Sequence, residues 1–400
     1  MEHTLVNSEY TIFNTIDEIQ TLGKNAEEIR EDLYSLWQDC FGDTIEYTDF
    51  YFDWKTEDNR ILTAYKQNRI SAMLHLNPYL VMVNGKPTPL NYIVGVATRK
   101  EDRRQGLMKL LLEASLNQMY EEQMPFTYLM PAAESIYLPF GFRIVYEQEG
   151  WRDKLLKATQ IRNSGLNLHE AIKGELRIVN VKSNEEDMIS ALTEFTNSFL
   201  TKHYNIYVKR SPYYYKRLIH EMESGKGNVL VCLLEDEIIG YTAYMTDGGI
   251  GIAECICGKN YEEIVMNAFS SEIISKSDAA AGSEHHSNPT IMARIVNWSN
   301  FIKSITAKEE TTVYMKVEDS IITDNNGTYQ LQFSPLGCIA SLTDQEPEIT
   351  ADIADLTKLF FGRMRENEIA KLNINGKPLE ILDKLKKIDN YKDVFINEVV

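Results

Sequence analysis

Positive charge is what this chain has little of: 41 Lys and Arg stand against 59 Asp and Glu, a formal net charge of −18 over 400 residues. A field of that sign argues against nucleic-acid binding, which rests on neutralising phosphates. It suits cationic partners such as polyamines, aminoglycosides or lysine-rich peptides, or it serves solubility alone. Long apolar runs are missing too. Nothing reaches the roughly 18 uninterrupted apolar residues of a membrane span, and the opening "MEHTLVNSEYTIFN" has no basic segment followed by an apolar core. These absences predict a cytoplasmic protein with no membrane partner. The five cysteines are an odd number without framework spacing, and Cys255 and Cys257 have no second pair to complete a zinc site. Buried thiols are expected, and no metal.

The residues that are present fall into three regions. In the first, "NAEEIREDLYSLWQDCFG" carries Ile29, Leu33, Leu36, Trp37 and Cys40 at helical spacing, with Gly42 as a stop. Strand-like runs follow, joined at Asn84-Gly85, the dipeptide a tight hairpin prefers. A basic turn, a leucine-rich helix and two further short strands complete an α+β unit ending near residue 155. Residues 156–285 repeat part of that order, with helices at "SNEEDMISALTEFTNSFL" and "PYYYKRLIHEMES" and a strand meander ending in "ECICG". This reads as a degenerate copy of the first unit. Its counterpart of the basic turn, "KNYEEI", opens the next helix with two acids, which suits a helix dipole and repels an anion. The small, polar stretch 275–289, with His285 and His286, reads as a linker. Residues 286–400 form a third region, strand-rich in the middle and apolar to its end.

The chemistry concentrates at "ATRKEDRRQGLMKLLL", residues 97–112. A helix N-terminus offers backbone N–H groups without partners and a partial positive charge, so it holds phosphate wherever the chain can approach closely. Gly106 permits that approach, and Arg103 and Arg104 add charge that a pyrophosphate would neutralise. With one glycine and no Gly-Lys-Ser/Thr, the turn is neither a Rossmann fingerprint nor a P-loop. Read alone it is equally an ordinary solvated helix start.

The strand "VAT", a polar turn and Arg-x-x-Gly opening a helix resemble the acetyl-CoA pyrophosphate loop of the GCN5-related N-acetyltransferases. Met108 departs from the Gly or Ala usual there. Together with "PAAESIYLPFGF" and "MARIVN", the chain resembles the enhanced intracellular survival (Eis) type of that superfamily over essentially all its length. The resemblance implies an α+β chain of two tandem mixed-sheet acetyltransferase-like domains, 1–155 active and 156–285 degenerate, then a sterol-carrier-like domain, 286–400.

It implies contacts to the acetyl-pantetheine end from Val96, Ala97 and Thr98. It implies that Arg103, Arg104, Gln105, Gly106, Leu107 and Met108 line the pyrophosphate, with Ala132 and Ala133 as a second contact segment. Tyr137 would be the general acid to the departing thiolate, a phenol of ordinary pKa about 10 facing a thiol near 8.5. A core tyrosine packed beside Phe140 and Phe142 is the other reading of the same residue. The implied base is the C-terminal carboxylate of Val400, and the apolar ending Val394, Phe395, Ile396, Val399 and Val400 fits either a docked terminus or a final strand. Glu398 is the carboxylate nearest to it for a cationic substrate. Phe41, flanked by Asp39 and Asp43, stands where this fold admits the acceptor, or simply ends a solvated helix.

The implied activity is direct attack of a primary amine of a cationic acceptor (an aminoglycoside, a polyamine or a lysine-like group) on acetyl-CoA. A non-catalytic protein that binds acetyl-CoA or an apolar ligand, and an acetyltransferase of protein lysines or N-termini, are the alternatives. The resemblance also implies a homo-oligomer, a hexamer.

Overall fold

The computed structural model describes residues 5–6, 10–20, 23–163, 175–276, 289–369 and 371–398. Most of the expected linker, including His285 and His286, lies outside them, as do Val399 and Val400.

The first unit is a mixed sheet with helices on its faces. Its strands include β1 (Tyr10–Phe13), β2 (Arg60–Lys66), β3 (Arg69–Val83), β4 (Lys86–Thr98), β5 (Phe126–Leu129) and β6 (Arg143–Glu147). Helix α1 (Ala26–Phe41) starts at Asn25, whose side chain and that of Glu28 form a capping box, and stops at Gly42, where φ is +69°. Its stripe of Ile29, Leu33, Leu36 and Trp37 is buried, at about 1.5–3 kcal/mol per large apolar side chain. The hairpin between β3 and β4 turns on Asn84 (φ +47°) and Gly85 (φ +75°), the backbone a two-residue hairpin demands. Helix α2 (Leu107–Glu121) buries Leu107, Leu111, Leu112, Leu116 and Met119 on the sheet.

The second unit runs α3 (Trp151–Asn163), β7 (Leu176–Val181), α4 (Glu186–His203), β8 (Ile206–Val208), α5 (Pro212–Ser224), β9 (Asn228–Leu234), β10 (Glu237–Met245), β11 (Gly251–Cys257) and α6 (Glu262–Lys276). Its sheet has the order β11-β10-β9-β7. Leu155 and Ala158 of α3 share a core with these strands, so the chain passes into the second unit at the start of α3 rather than at residue 155, which falls inside the helix. Cys232, Cys255 and Cys257 are buried thiols of that core, as expected.

The third unit carries β13 (Thr311–Glu318), β14 (Gly327–Ser334), β15 (Gly337–Leu342), β16 (Ile349–Asp352) and α7 (Ile353–Phe360). Two of its flanking strands leave it. Strand β12 (Thr290–Ile295), the expected opening of the third domain, sits between β5 and β6 in the first unit's sheet, antiparallel to both. Strand β17 (Val394–Phe395) pairs in parallel with β8, which pairs in turn with β3. One large core accordingly gathers Tyr92 and Phe126, Ile206 and Tyr207, and Phe301, Phe361 and Phe395 from all three regions. No described helix is long and apolar enough to cross a membrane.

Candidate active site

The site is built at the end of β4. Strands β4 and β5 run parallel and meet at one register pair, Tyr92↔Tyr128. Beyond it, residues 93–98 have no partner on β5, so a notch opens in the sheet with the backbone edge of β4 along one side. On the other edge of β4 the register slips: Met73 pairs with Ala97 and His75 with Val94, leaving Gly95 and Val96 opposite the single residue Leu74. This β-bulge bends the strand and interrupts its ladder.

Gly95 is required there twice over. Its φ is +60°, and a Cβ on it would lie 2.7 Å from Trp37 Cζ3 and 3.1 Å from His75 Cδ2. Gly95→Ala is expected to destabilise the protein by roughly 1–3 kcal/mol and to distort the edge of β4 with it. Denaturant melts read the first effect, and an unchanged midpoint would contradict the geometry.

Beneath the bulge lies a polar cluster that sequence reading did not find. Tyr51 Oη is 3.1 Å from His75 Nδ1 and 3.3 Å from Asn77 Oδ1, and Asn59 Nδ2 donates to Asn77 Oδ1 at 3.1 Å. Burial pushes the His75 imidazolium down to about 3, so the ring is neutral at physiological pH.

The basic turn proves to be partly scaffolding. Arg99 is held by Asp32 at 2.6 Å and by the carbonyl of Ile70 at 2.8 Å, while Arg69 bonds the buried Asp102 at 3.0 Å. Arg103 folds back, its Nε donating to Thr98 O at 3.1 Å. Lys100, Arg103 and Arg104 are all exposed and, among the described residues, without an ion-pair partner. Arg104 (φ +64°) and Gly106 (φ +80°) are both left-handed, and space is open where a Gly106 Cβ would stand. Helix α2 begins there with no side-chain cap and no acid in its first turn, a fitting seat for a phosphate. Gln105, Ala132 and Ala133 are exposed, Val96, Thr98 and Met108 half-buried, and Ala97 and Leu107 buried. Met108 lies in the first turn, partly buried against the core.

Tyr137 closes the short helix Glu134–Tyr137. It is 7% exposed, and its ring meets Phe142 edge-on with centroids 5.9 Å apart. Burial pushes its phenol up to about 12. The packing expected of this tyrosine beside Phe142 is thus present.

A cleft of about 810 Å³ opens between α1, the bulge and the β10–β11 turn of the second unit. Trp37, Phe41, Asp43, Gly95, Glu149 and Asp247 are on its walls. Phe41, 42% exposed, packs on Trp37 with centroids 4.7 Å apart, and Trp37 Nε1 donates to Asp43 Oδ2 at 2.9 Å. Asp43 therefore faces the cleft, while Asp39 reaches Arg99 instead, at 3.3 Å. Three carboxylates and one guanidinium, Arg152, line it among the described residues.

Glu398 is buried away from this cleft and accepts from Arg210 Nη1 at 2.9 Å. Val400, the expected base, lies outside the described residues. An isolated glycine within a strand pattern was the available signal for the bulge at Gly95. Asp247 and the β10–β11 turn had none, because their position depends on packing between units. No described cluster of three or more His, Cys, Asp or Glu is arranged to hold a metal.

Residues 24–145 match the acetyltransferase (GNAT) domain and residues 299–388 the sterol carrier protein domain. No curated protein matches the chain in sequence. Among solved structures it resembles a conserved protein of unknown function, a probable N-acyltransferase, from Enterococcus faecalis V583 (TM-score 0.72, 16% identity, 97% of this chain and 100% of that one). A GCN5-related N-acetyltransferase from Anabaena variabilis ATCC 29413 is similar at TM-score 0.68 and 15% identity over 96% and 98% of the two chains. Eis1 from Mycobacterium abscessus is similar at TM-score 0.65 and 13% identity over 98% and 100%. Residues 24–145 are thus a GNAT acetyltransferase domain and residues 299–388 a sterol carrier protein domain, joined in a chain with the Eis-type α+β fold.

Proposed function

We propose that the protein transfers an acetyl group from acetyl-CoA to a primary amine of a cationic acceptor held in the cleft between its first two units. One observation carries the reading. The unpaired edge of β4, the bulge at Gly95 and the uncapped helix start after Gly106 follow one another along 15 residues of chain, and the acidic cleft opens against the same bulge. The donor supplies a thioester. The helix start, Arg104 and Lys100 serve its pyrophosphate, and backbone groups of residues 95–98 serve its acyl arm. N–H groups at the bulge polarise the carbonyl, Asp43 orients the ammonium end of the acceptor, and the Tyr137 hydroxyl faces the leaving sulfur. The free amine forms the C–N bond as the C–S bond breaks. Its surplus proton goes to the base the resemblance assigns, the Val400 carboxylate.

Turnover of acetyl-CoA over a panel of aminoglycosides, polyamines and lysine peptides is the test. Cationic amines are expected to be acetylated, with Asp43→Asn raising KM by roughly tenfold, the size of a lost charge-assisted hydrogen bond. Acetyl-CoA binding without turnover on any amine would refute the proposal. A few residues appended after Val400 should abolish turnover; undiminished activity would remove the C-terminal base alone. Cytoplasmic residence and a homo-oligomer, a hexamer by resemblance, belong to the same proposal, and sedimentation measures the second.

A further inference from the structure

A surface cavity of about 480 Å³ lies on the second unit, between the C-terminal half of α4 and the loop that leads from β11 into α6. It shares no residue with the cleft. Helix α4 presents Phe195, Phe199 and His203 to it, four residues apart and so on one stripe of the helix. The rings of Phe195 and Phe199 have centroids 6.5 Å apart and planes 30° apart, and those of Phe199 and His203 stack at 4.3 Å. His203 Nδ1 donates to Phe199 O at 2.8 Å, which holds the imidazole against that ring. The loop adds Tyr261, 38% exposed. Phe195 and Phe199 are only half-buried, so this aromatic stripe faces the cavity instead of filling a core.

The charge of these walls runs against that of the chain. In a protein of net charge −18, Lys202, Lys259 and His203 stand on them and, among the described residues, no carboxylate does. Both lysines are exposed and, among the described residues, without an ion-pair partner. Lys202 and His203 belong to the last turn of α4, where a cation suits the helix dipole. Lys259 has no such reason to be where it is. It opens the short turn Lys259–Tyr261 that runs directly into α6, so it stands at the positive end of that helix, where a cation is unfavourable. The two acids that follow do not offset it on these walls: neither Glu262 nor Glu263 is on them, and Glu262 is paired with Lys154 at 3.0 Å. An anion between Lys202 and Lys259 would relieve the mismatch. Two ammonium groups match a phosphate monoester, which carries a charge of about −1.5 to −2 at neutral pH, better than they match a carboxylate. Aromatic rings beside cations are the combination that stacks a nucleobase and holds its phosphate, and the volume is that of a small-molecule site.

We infer that this surface of the second unit binds a mononucleotide, with its base against Phe195, Phe199 and Tyr261 and its phosphate between Lys202 and Lys259. The inference goes beyond the acetyl-transfer reading and does not depend on it. Calorimetric titration of the full chain with adenosine 5′-monophosphate tests it, at low ionic strength because exposed charges are screened by salt. Adenosine and ribose 5-phosphate are the controls, one lacking the phosphate and the other the base. The nucleotide is expected to bind at least about tenfold more tightly than either, equivalent to about 1.4 kcal/mol. Lys202→Glu and Lys259→Glu should each weaken it by about tenfold while leaving the KM for acetyl-CoA unchanged; both side chains are exposed, so the fold is kept. Because acetyl-CoA contains a nucleotide of its own, Arg104→Glu in the turn before α2 separates the two sites: it should weaken acetyl-CoA and not the mononucleotide. The inference is overturned by absence of nucleotide binding, by a control that binds equally well, or by an affinity that falls with Arg104→Glu and not with the lysine variants. A sedimentation coefficient altered by Lys202→Glu with nucleotide affinity unchanged overturns it too, and would make this surface a contact between copies of the chain.

Discussion

Replacing Tyr137 by phenylalanine is expected to lower kcat for acetyl transfer by roughly 10²–10³-fold, the loss seen when one donor to a developing anion is removed, with the melting temperature almost unchanged. The ring, which packs against Phe142, is kept, and only the hydroxyl is lost. Burial alters the part that hydroxyl plays. A phenol of ordinary pKa about 10 is close enough to a thiol near 8.5 to hand over its proton. A phenol pushed up to about 12 is not; full transfer to the thiolate would be uphill by about 3–4 units, or about 5 kcal/mol. With its phenol raised, Tyr137 would serve the departing sulfur at least by donating a hydrogen bond to it. The sign of the shift also fixes a pH prediction. A raised phenol stays protonated through the neutral range, so Tyr137 should contribute no alkaline fall in rate below about pH 11. A phenylalanine variant with kcat within threefold of wild type would remove the residue from the mechanism.

Arg294→Met should cost about 3–5 kcal/mol of stability, the effect of stripping one partner from a buried ion pair. Arg294 and Asp319 are both 0% exposed and meet at 2.7 Å. Burial holds the guanidinium's pKa down, and Asp319 works against that. The other acceptor bonds of Asp319, from the amides of Ile321 and Ile322 and from Asn325 Nδ2, are each 3.0 Å long and bring no charge. Removing the arginine therefore strands a carboxylate in the interior. Asp319→Asn in the same background should recover much of the loss, because it removes the stranded charge. Denaturant titration measures both, and a single variant within 1 kcal/mol of wild type would show the pair to be unimportant. Activity should fall as well, since Arg294 Nε holds the carbonyl of Phe140 at 2.7 Å, three residues beyond Tyr137.

What the sequence revealed was local. The stripe of α1, its stop at Gly42 and the Asn84-Gly85 hairpin are set by residues within a few positions of one another, and the structure has them as expected. So is the glycine turn before α2. Which arginines of that turn are free was not legible, because Asp32 and Ile70, the partners of Arg99, lie 67 and 29 residues away. Strand β12 was misplaced for the same reason. Its apolar residues suit any buried strand, and only the notch between β5 and β6 decides where it goes. The buried partner of Glu398, Arg210, was not legible either, because it lies 188 positions earlier. Of the apolar ending, Val394 and Phe395 form a strand that pairs with β8, and Val399 and Val400 lie outside the described residues.

The insertion of β12 also sets an order of events as the chain is made. Strands β5 and β6 emerge early and, among the described residues, have no ladder to each other; what joins them is a strand that follows more than 140 residues later. Until residues 290–295 leave the ribosome, the acetyltransferase sheet keeps two unpaired edges, which invite pairing with another chain. Domains usually fold one after another during synthesis, the N-terminal one first. Here the first to be started is completed only once the second has been made, so catalytic competence arrives late and a ribosome that stalls after the second unit releases an acetyltransferase with an open seam.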